Sequence, residues 1–413
     1  MKLKFTFLLL SSLFCYSAVM AQAVGDYQSN VTTTGAWDVA ANWQRYDGMA
    51  WMTATVAPSS TDGVITIQAG DSIRLTQATT IDQVQVAAGG ILSIFNTITP
   101  TTFTLADGPE ASDINVDGRL YIANGATLTG AGSVMVNAGG LMVHRNEGVL
   151  DVNTTIASMA DLYVNREPTI SSVLTNNGTM TLLETGDLNF ADGTLINNGL
   201  FTFLATANVF IRSVSGTNLI QNTSTGIFRK EQATGFIAIA VALQNQGIFE
   251  GLGEFSLNNI VSNSGRFSPG GNTVGILEVN EQSITGHTPT VRIQIGNVTP
   301  GVGHDQLQVN GTTSLSGVTL SVAGTSDAPT GLYTVMTTTS GAFTGSFAQV
   351  DIPANYSLVY TPGTNVVRVQ KNFMALPLNW GTFNAVAKNN TVALTWTTLQ
   401  ESNTAVFIIE HSV

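Results

Sequence analysis

Five side chains with acid–base or charged character lie in one part of this 413-residue sequence, and they are the first candidates for chemistry. They are Arg119, His144, Arg145, Glu147 and Asp151. A polysaccharide lyase or a glycosidase needs such groups around one groove, with its carboxylates at a defined separation. Two interpretations are open: a catalytic site for a polysaccharide, or charged residues in solvated turns. We favour the second interpretation, and with it a protein that is not an enzyme.

Three tryptophans near the N-terminus form a second group of candidates. Trp37, Trp43 and Trp51 precede the first strand-like run of the sequence. An indole offers a large apolar face with one polar N–H, which suits stacking on a sugar ring. The alternative role is structural, because a solenoid exposes an apolar end that a cap must cover. We favour the cap, and a glycan-binding module is the alternative.

Sequence motifs for metals and nucleotides are missing. The four histidines are scattered without the spacing of zinc ligands. No Asp-x-Asp-x-Asp-Gly loop is present for calcium, and Gly251-Leu252-Gly253 opens no helix that could hold a phosphate. We therefore predict no metal site and no cofactor.

A repeated sequence pattern predicts the structural elements that would position these residues. A small residue at a turn is followed two positions later by a large apolar side chain, with a mean spacing of about 22 residues. The turn positions are Gly90, Gly118, Gly140, Ala160, Gly178, Gly199, Gly226, Gly247 and Gly265. The apolar positions, which predict one inward column of stacked side chains, are Leu92, Leu120, Met142, Leu162, Met180, Phe201, Phe228, Phe249 and Phe267. This pattern predicts an all-β fold, a parallel β-helix. We expect the glycines and the asparagines before them to form corners with positive φ.

Composition and the N-terminus restrict the function classes. Charged residues make up 10% and apolar residues 43% of the chain, a balance that argues against disorder. The net charge of −12 disfavours nucleic acid as a partner. Lys2 and Lys4 precede an apolar run, which predicts a signal peptide over 1–21 and a secreted or outer-surface protein. We expect no membrane span after cleavage, and no disulfide, because the single cysteine, Cys15, lies in the signal.

A junction after the repeat resembles a known class of proteins. Ser268-Pro269-Gly270 is followed by Gly275-Ile276-Leu277 and then by several short strand-like runs. This order is similar to that in secreted bacterial β-helix proteins, including autotransporter passenger-like and haemagglutinin-like surface proteins. The resemblance implies a β-rich C-terminal cap over 271–371 and a structural or adhesive role.

A second resemblance lies at the C-terminus. Leu376-Pro377, the run 390–398 and Phe407-Ile408-Ile409 are similar to the fibronectin-III-like module of type IX-secreted proteins in Bacteroidetes. The resemblance implies a sorting domain beyond Val413 and secretion machinery as a partner. Because such a module normally continues for several strands, we expect 372–413 to be an incomplete β-sandwich.

The sequence thus predicts five segments: a signal peptide (1–21), a Trp-rich N-terminal cap (22–62), β-helix coils (63–270), a β-rich terminal segment (271–371) and a truncated fibronectin-III-like module (372–413). The predicted function is a rigid scaffold or ligand-presenting spacer. Its partner would be an extracellular ligand such as a glycan or a matrix component. A polysaccharide lyase or glycosidase and a glycan-binding module are the alternatives.

Overall fold

A computed structural model of the chain describes residues 22–75, 77–95, 101–108, 110–183, 186–372, 379–400 and 407–409. The predicted signal peptide and Cys15 lie outside the described residues, as does part of the predicted fibronectin-III-like module. The described chain is a parallel β-helix, which confirms the predicted all-β solenoid class. Its helical content is limited to two 3-10 turns, Ala40–Asn42 and Glu281–Ser283. Within the described ranges, no helix is long and apolar enough to cross a membrane.

The chain divides into two compact units, which are described separately. Unit 1 extends through Phe228 and also contains Ile237–Gln244. Unit 2 consists of Arg229–Phe236 and of the chain from Asn245 onward. Three strands contain residues of both units, and their bounds are Ile227–Lys230, Phe236–Ile239 and Ala242–Asn245.

Each coil of unit 1 contributes strands to three faces. Face 1 contains Thr34–Ala36, Ser72–Leu75, Ile91–Ile94, Arg119–Ile122, Leu141–Arg145, Asp161–Asn165, Thr179–Leu182 and Leu200–Phe203. Face 2 contains Thr79–Ile81, Thr102–Leu105, Thr169–Ile170, Leu188–Ala191 and Val209–Ser215. Face 3 contains Tyr27–Ser29, Ile65–Ile67, Val84–Val86, Ile114–Val116, Val173–Asn176, Thr194–Asn197 and Leu219–Asn222. The long strands Thr127–Val136 and Val149–Ile156 pass from face 2 to face 3. Trp43–Tyr46 and Trp51–Thr53 form an antiparallel hairpin beside Tyr27–Ser29.

Unit 2 continues with parallel strands and ends with antiparallel ones. Its parallel strands are Ile248–Gly251, Gly253–Leu257, Ile260–Asn263, Arg266–Pro269, Ile276–Asn280, Thr290–Ile295, Gln306–Asn310, Thr313–Ser314, Thr319–Gly324, Gly331–Ser340, Phe343–Thr344 and Gln349–Asp351. Tyr356–Val359 and Val366–Lys371 pair antiparallel, and Asn379–Lys388 forms a hairpin with Thr391–Gln400. Parallel strands therefore lie outside 63–270 as well as within it.

The repeat arises because alternate side chains of each strand point into the coil. In unit 1, strand register aligns the apolar positions Leu92, Leu120, Met142, Leu162, Met180 and Phe201, and all are fully buried. Phe228 packs edge-on against Phe201, with ring centroids 5.4 Å apart. In unit 2, Phe249 is in register with Phe267, and both are fully buried. Stacked burial of this kind is the main stabilising term of a solenoid.

A buried column of asparagines stabilises the coil from inside, which the sequence pattern did not predict. In unit 1, Asn176 Nδ2 donates to Asn197 Oδ1 and Asn197 Nδ2 donates to Asn222 Oδ1, each over 2.8 Å. In unit 2, Asn245 Nδ2 donates to Asn263 Oδ1 over the same distance. All five side chains are at least 98% buried. These asparagines are therefore interior ladder residues, and the expectation that they form corners with positive φ is wrong.

The turn glycines are required for a different reason from the one expected. Gly140 and Gly199 do not have positive φ. A Cβ at either position would lie closer than 3.0 Å to a backbone carbonyl oxygen of the preceding coil. At three of the turns positive φ occurs one residue earlier instead, at Gly89, Gly139 and Met159. The repeat therefore selects glycine because successive coils approach closely at this point.

Candidate functional site

The five candidate catalytic residues do not gather around one groove. His144 is fully buried in the coil, where its Nε2 donates to the Gly148 carbonyl over 2.8 Å and its Nδ1 has no partner among the described residues. Burial lowers the pKa of His144 to about 4. Arg119 and Arg145 are exposed on face 1, whereas Asp151 lies on the face 2 part of its strand and accepts from Thr129 Oγ1 over 2.7 Å.

The remaining member of this group, Glu147, lies at an exposed corner with a φ of 59°. The five residues therefore do not form the single groove that a polysaccharide-cleaving site needs. Side chains alternate inward and outward along a strand, and this alternation directs His144 into the coil. No group of three or more metal-ligating side chains occurs in the described part of the chain.

Two of the three candidate tryptophans belong to the interior. Trp37 and Trp43 are 1% and 0% exposed, and their rings meet edge-on with centroids 4.9 Å apart. Trp37 Nε1 donates to the Pro58 carbonyl over 3.0 Å, and Trp43 Nε1 donates to the Trp37 carbonyl over 2.8 Å. Their faces and N–H groups are occupied, so neither indole can stack on a sugar.

Trp51 is different because it is half-buried and lines a groove of about 810 Å³ in unit 1. The groove, which we call the Trp51 groove, has an outward column of face 3 as its floor. Strand register places Gln28, Thr66, Gln85 and Asn115 side by side on four successive coils. At about 4.8 Å per coil, this floor is about 14 Å long. A volume and shape of this order are typical of a ligand site.

Side-chain hydrogen bonds orient the amides of the Trp51 groove. Gln28 Nε2 donates to Gln44 Oε1 over 2.6 Å, and Gln68 Nε2 donates to Gln28 Oε1. Gln85 Nε2 donates to an Asp117 carboxylate oxygen over 2.5 Å. A primary amide has two N–H donors and two acceptor lone pairs, so one such bond fixes its direction without using its whole capacity.

The charged side chains of the groove are acidic, and their carboxylates already accept hydrogen bonds. Asp26 is 7% exposed, and its carboxylate accepts the backbone N–H groups of Ala23 and Val64 over 2.7 and 2.9 Å. Glu110 accepts from Gln83 Nε2 over 2.7 Å. No lysine or arginine is among the described residues that line the groove. This combination of an aromatic ring, amides and hydroxyls suits a neutral polyhydroxylated ligand better than an anion.

The sequence contains a signal for this floor outside the repeat of small turn residues and apolar side chains. Gln83-Val84-Gln85-Val86 and Thr66-Ile67-Gln68 alternate polar and apolar residues, so their polar members must lie on the outer surface. Their alignment with Gln28 and Asn115 depends on coil register, which unequal turn lengths hide.

Comparisons with known proteins identify no family. No protein-family model matches the chain, and no curated protein matches it. Among solved structures, the chain is similar to a crystal structure of a TibC-catalysed hyper-glycosylated fragment of TibA. The identity is 18%, the alignment covers 70% of this chain and 90% of that chain, and the TM-score is 0.30. At this TM-score the likeness carries no argument, and the fold assignment rests on the strand pairing of the chain itself.

Proposed function

We propose that this chain is an extracellular β-helix scaffold with an adhesive role, and that it binds a neutral carbohydrate in the Trp51 groove. The observation that carries the proposal is a half-buried indole beside a row of three amides and one threonine hydroxyl on four successive coils. An indole face covers the apolar side of a sugar ring, and amides donate to and accept from its hydroxyl groups. Both requirements meet in one groove of sufficient size.

The scaffold role is supported by what stabilises the coil. The asparagine column of unit 1 and the packed rings of Phe201, Phe203 and Phe228 restrict movement between successive coils. The floor of the Trp51 groove lies on other coils, where Ile65, Val84 and Ile114 are in register and buried beneath it. A floor held in this way limits the entropy lost when a ligand binds. A stable floor whose amides can hydrogen-bond to many arrangements of hydroxyl groups suits an adhesive surface.

The proposed location is the cell surface or the extracellular medium. Lys2, Lys4 and the apolar run after them support export, and the resemblance of 376–410 to a type IX module supports that route. In cells that express the protein naturally, protease added outside intact cells should degrade any cell-bound protein. Quantitative protection of the whole protein inside intact cells would contradict the proposed location.

The binding proposal is tested on a glycan array with purified mature protein. We expect binding to a subset of neutral glycans, and a loss of at least about ten-fold in apparent affinity for Trp51→Ala. Phe383→Ala is a matched control, because Phe383 is a 60% exposed aromatic in the C-terminal hairpin, outside the groove. Equal binding by Trp51→Ala and Phe383→Ala, or no neutral glycan bound, would refute the proposal.

A further inference from the structure

The outer surface of face 1 carries a second, smaller cavity of about 340 Å³ in unit 1. Two arginines line it, one at each end. Arg74 belongs to the strand Ser72–Leu75, and Arg145 ends the strand Leu141–Arg145, three coils further along the face. We call this cavity the arginine cavity. It lies on a different face from the Trp51 groove.

Each of the two guanidinium groups lies beside an aromatic ring. Arg74 Cζ lies 4.9 Å from the centre of the Phe95 ring, and Arg145 Cζ lies 6.0 Å from the centre of the Tyr121 ring. Phe95 follows the strand that contains Ser93, and Ser93 is directly in register with Tyr121 on the next coil. The rings that contact the two cations therefore belong to adjacent coils, which are about 4.8 Å apart along the axis.

This arrangement places two positive charges at one cavity without a compensating carboxylate. No Asp or Glu is among the described residues that line the cavity, and neither arginine forms an ion pair with a described carboxylate. The whole chain contains 27 acidic and only 15 basic residues, so chance placement would favour acidic neighbours. Two positive charges at one cavity repel each other, and an anion bound in the cavity offsets that repulsion.

From this geometry we propose that the arginine cavity binds the carboxylate of a uronic acid in an acidic polysaccharide. A guanidinium group presents a planar fork of N–H donors that matches the two oxygens of a carboxylate. The rings of Phe95 and Tyr121 provide apolar contact for the sugar, and Ser93 also lines the cavity. The cavity has the volume of a small-ligand site. This site is independent of the neutral-sugar site, because it uses other residues and a different charge.

The probe is an oligomer of galacturonate, titrated calorimetrically into the full mature chain. The neutral galactose oligomer of equal length and inorganic phosphate are titrated in parallel. We expect the galacturonate oligomer to bind at least about ten-fold more tightly than the neutral oligomer, and more weakly as salt is added. Arg74→Gln and Arg145→Gln should each raise the Kd about ten-fold or more.

Arg119→Gln is the matched control, because Arg119 is an exposed arginine on the same face whose side chain does not line the cavity. It should change the Kd by less than about two-fold, because Arg119 does not line the cavity and its guanidinium fork does not contact the carboxylate. Arg74→Lys and Arg145→Lys keep the charge without the fork and should bind with intermediate affinity, which separates recognition from misfolding.

Three results would overturn the proposal. Equal affinity for the galacturonate and galactose oligomers in Trp51→Ala, which lacks the indole of the neutral-sugar site, would show that the carboxylate is not recognised. Phosphate binding as tight as galacturonate binding would show a simple anion site. Equal losses in Arg74→Gln and Arg119→Gln, with unchanged melting temperatures, would show a general charge effect. None of these results would affect the neutral-sugar proposal, which Trp51 variants test separately.

Discussion

Replacing Asn197 with alanine tests the idea that the buried asparagine column holds successive coils of unit 1 together. Asn197 is fully buried. Its Oδ1 accepts from Asn176 Nδ2 and its Nδ2 donates to Asn222 Oδ1, both over 2.8 Å. Alanine removes both bonds at once and leaves a space in the interior that water cannot easily enter.

The expected cost follows from these two bonds and their burial. Each hydrogen bond contributes about 1 kcal/mol net, and a polar group that loses its partner in the interior costs a further 1–3 kcal/mol or so. Asn176 Nδ2 also donates to the Leu200 carbonyl over 3.1 Å, so part of its bonding survives the substitution. We therefore expect Asn197→Ala to lower the free energy of unfolding by about 3–5 kcal/mol.

The neighbouring residue provides a matched control. Asn198 also forms two side-chain bonds of the same length, because its Nδ2 donates to Asn177 Oδ1 and its Oδ1 accepts from Thr223 Oγ1, each over 2.8 Å, but on the half-exposed outer side of the coil. Water replaces both partners, so Asn198→Ala should cost less than about 1 kcal/mol. The assay is urea unfolding at neutral pH, followed by far-ultraviolet circular dichroism. If the two variants differ by less than about 1 kcal/mol, burial of the column does not stabilise the coil in the way we argue.

Two other interior residues give predictions of the same kind. Phe228→Ala should lower the free energy of unfolding by about 3–5 kcal/mol, because its buried ring contacts Phe201 and Phe203; urea unfolding that shows a loss below about 1 kcal/mol would contradict the packing. Burial lowers the pKa of His144 from 6.5 to about 4. The neutral side chain therefore contributes stability above pH 6.5, and this contribution is lost as the pH falls through about 4. Between pH 7 and 4 the unmodified protein should lose about 3 kcal/mol more than His144→Gln, and equal pH profiles would refute this.

The apolar column could be predicted from the sequence, because a large apolar residue two positions after a small turn residue fits a coil when its side chain points inward. The same alternation of inward and outward side chains also predicts the direction of His144. Met142 was placed inward, and His144 lies two residues later on the same strand, so period two also directs the histidine inward. Its role as a groove residue could have been rejected from the sequence.

Other features could not be predicted from one sequence. Asparagine is usually exposed, and only mutual hydrogen bonding between coils makes its burial at Asn176 and Asn197 favourable. The floor of the Trp51 groove combines residues as distant as Gln28 and Asn115, and their alignment depends on the length of every turn between them. Sequence spacing alone does not give that register.

The claim that Trp51 and the amides of face 3 form a carbohydrate site is tested most directly by a crystal structure of the protein with the best neutral glycan from the array. The account predicts a sugar ring against the Trp51 indole, with hydroxyl groups hydrogen-bonded to Gln28, Gln85 or Asn115. A well-defined glycan bound elsewhere on the molecule, with the Trp51 groove containing only solvent, would contradict it.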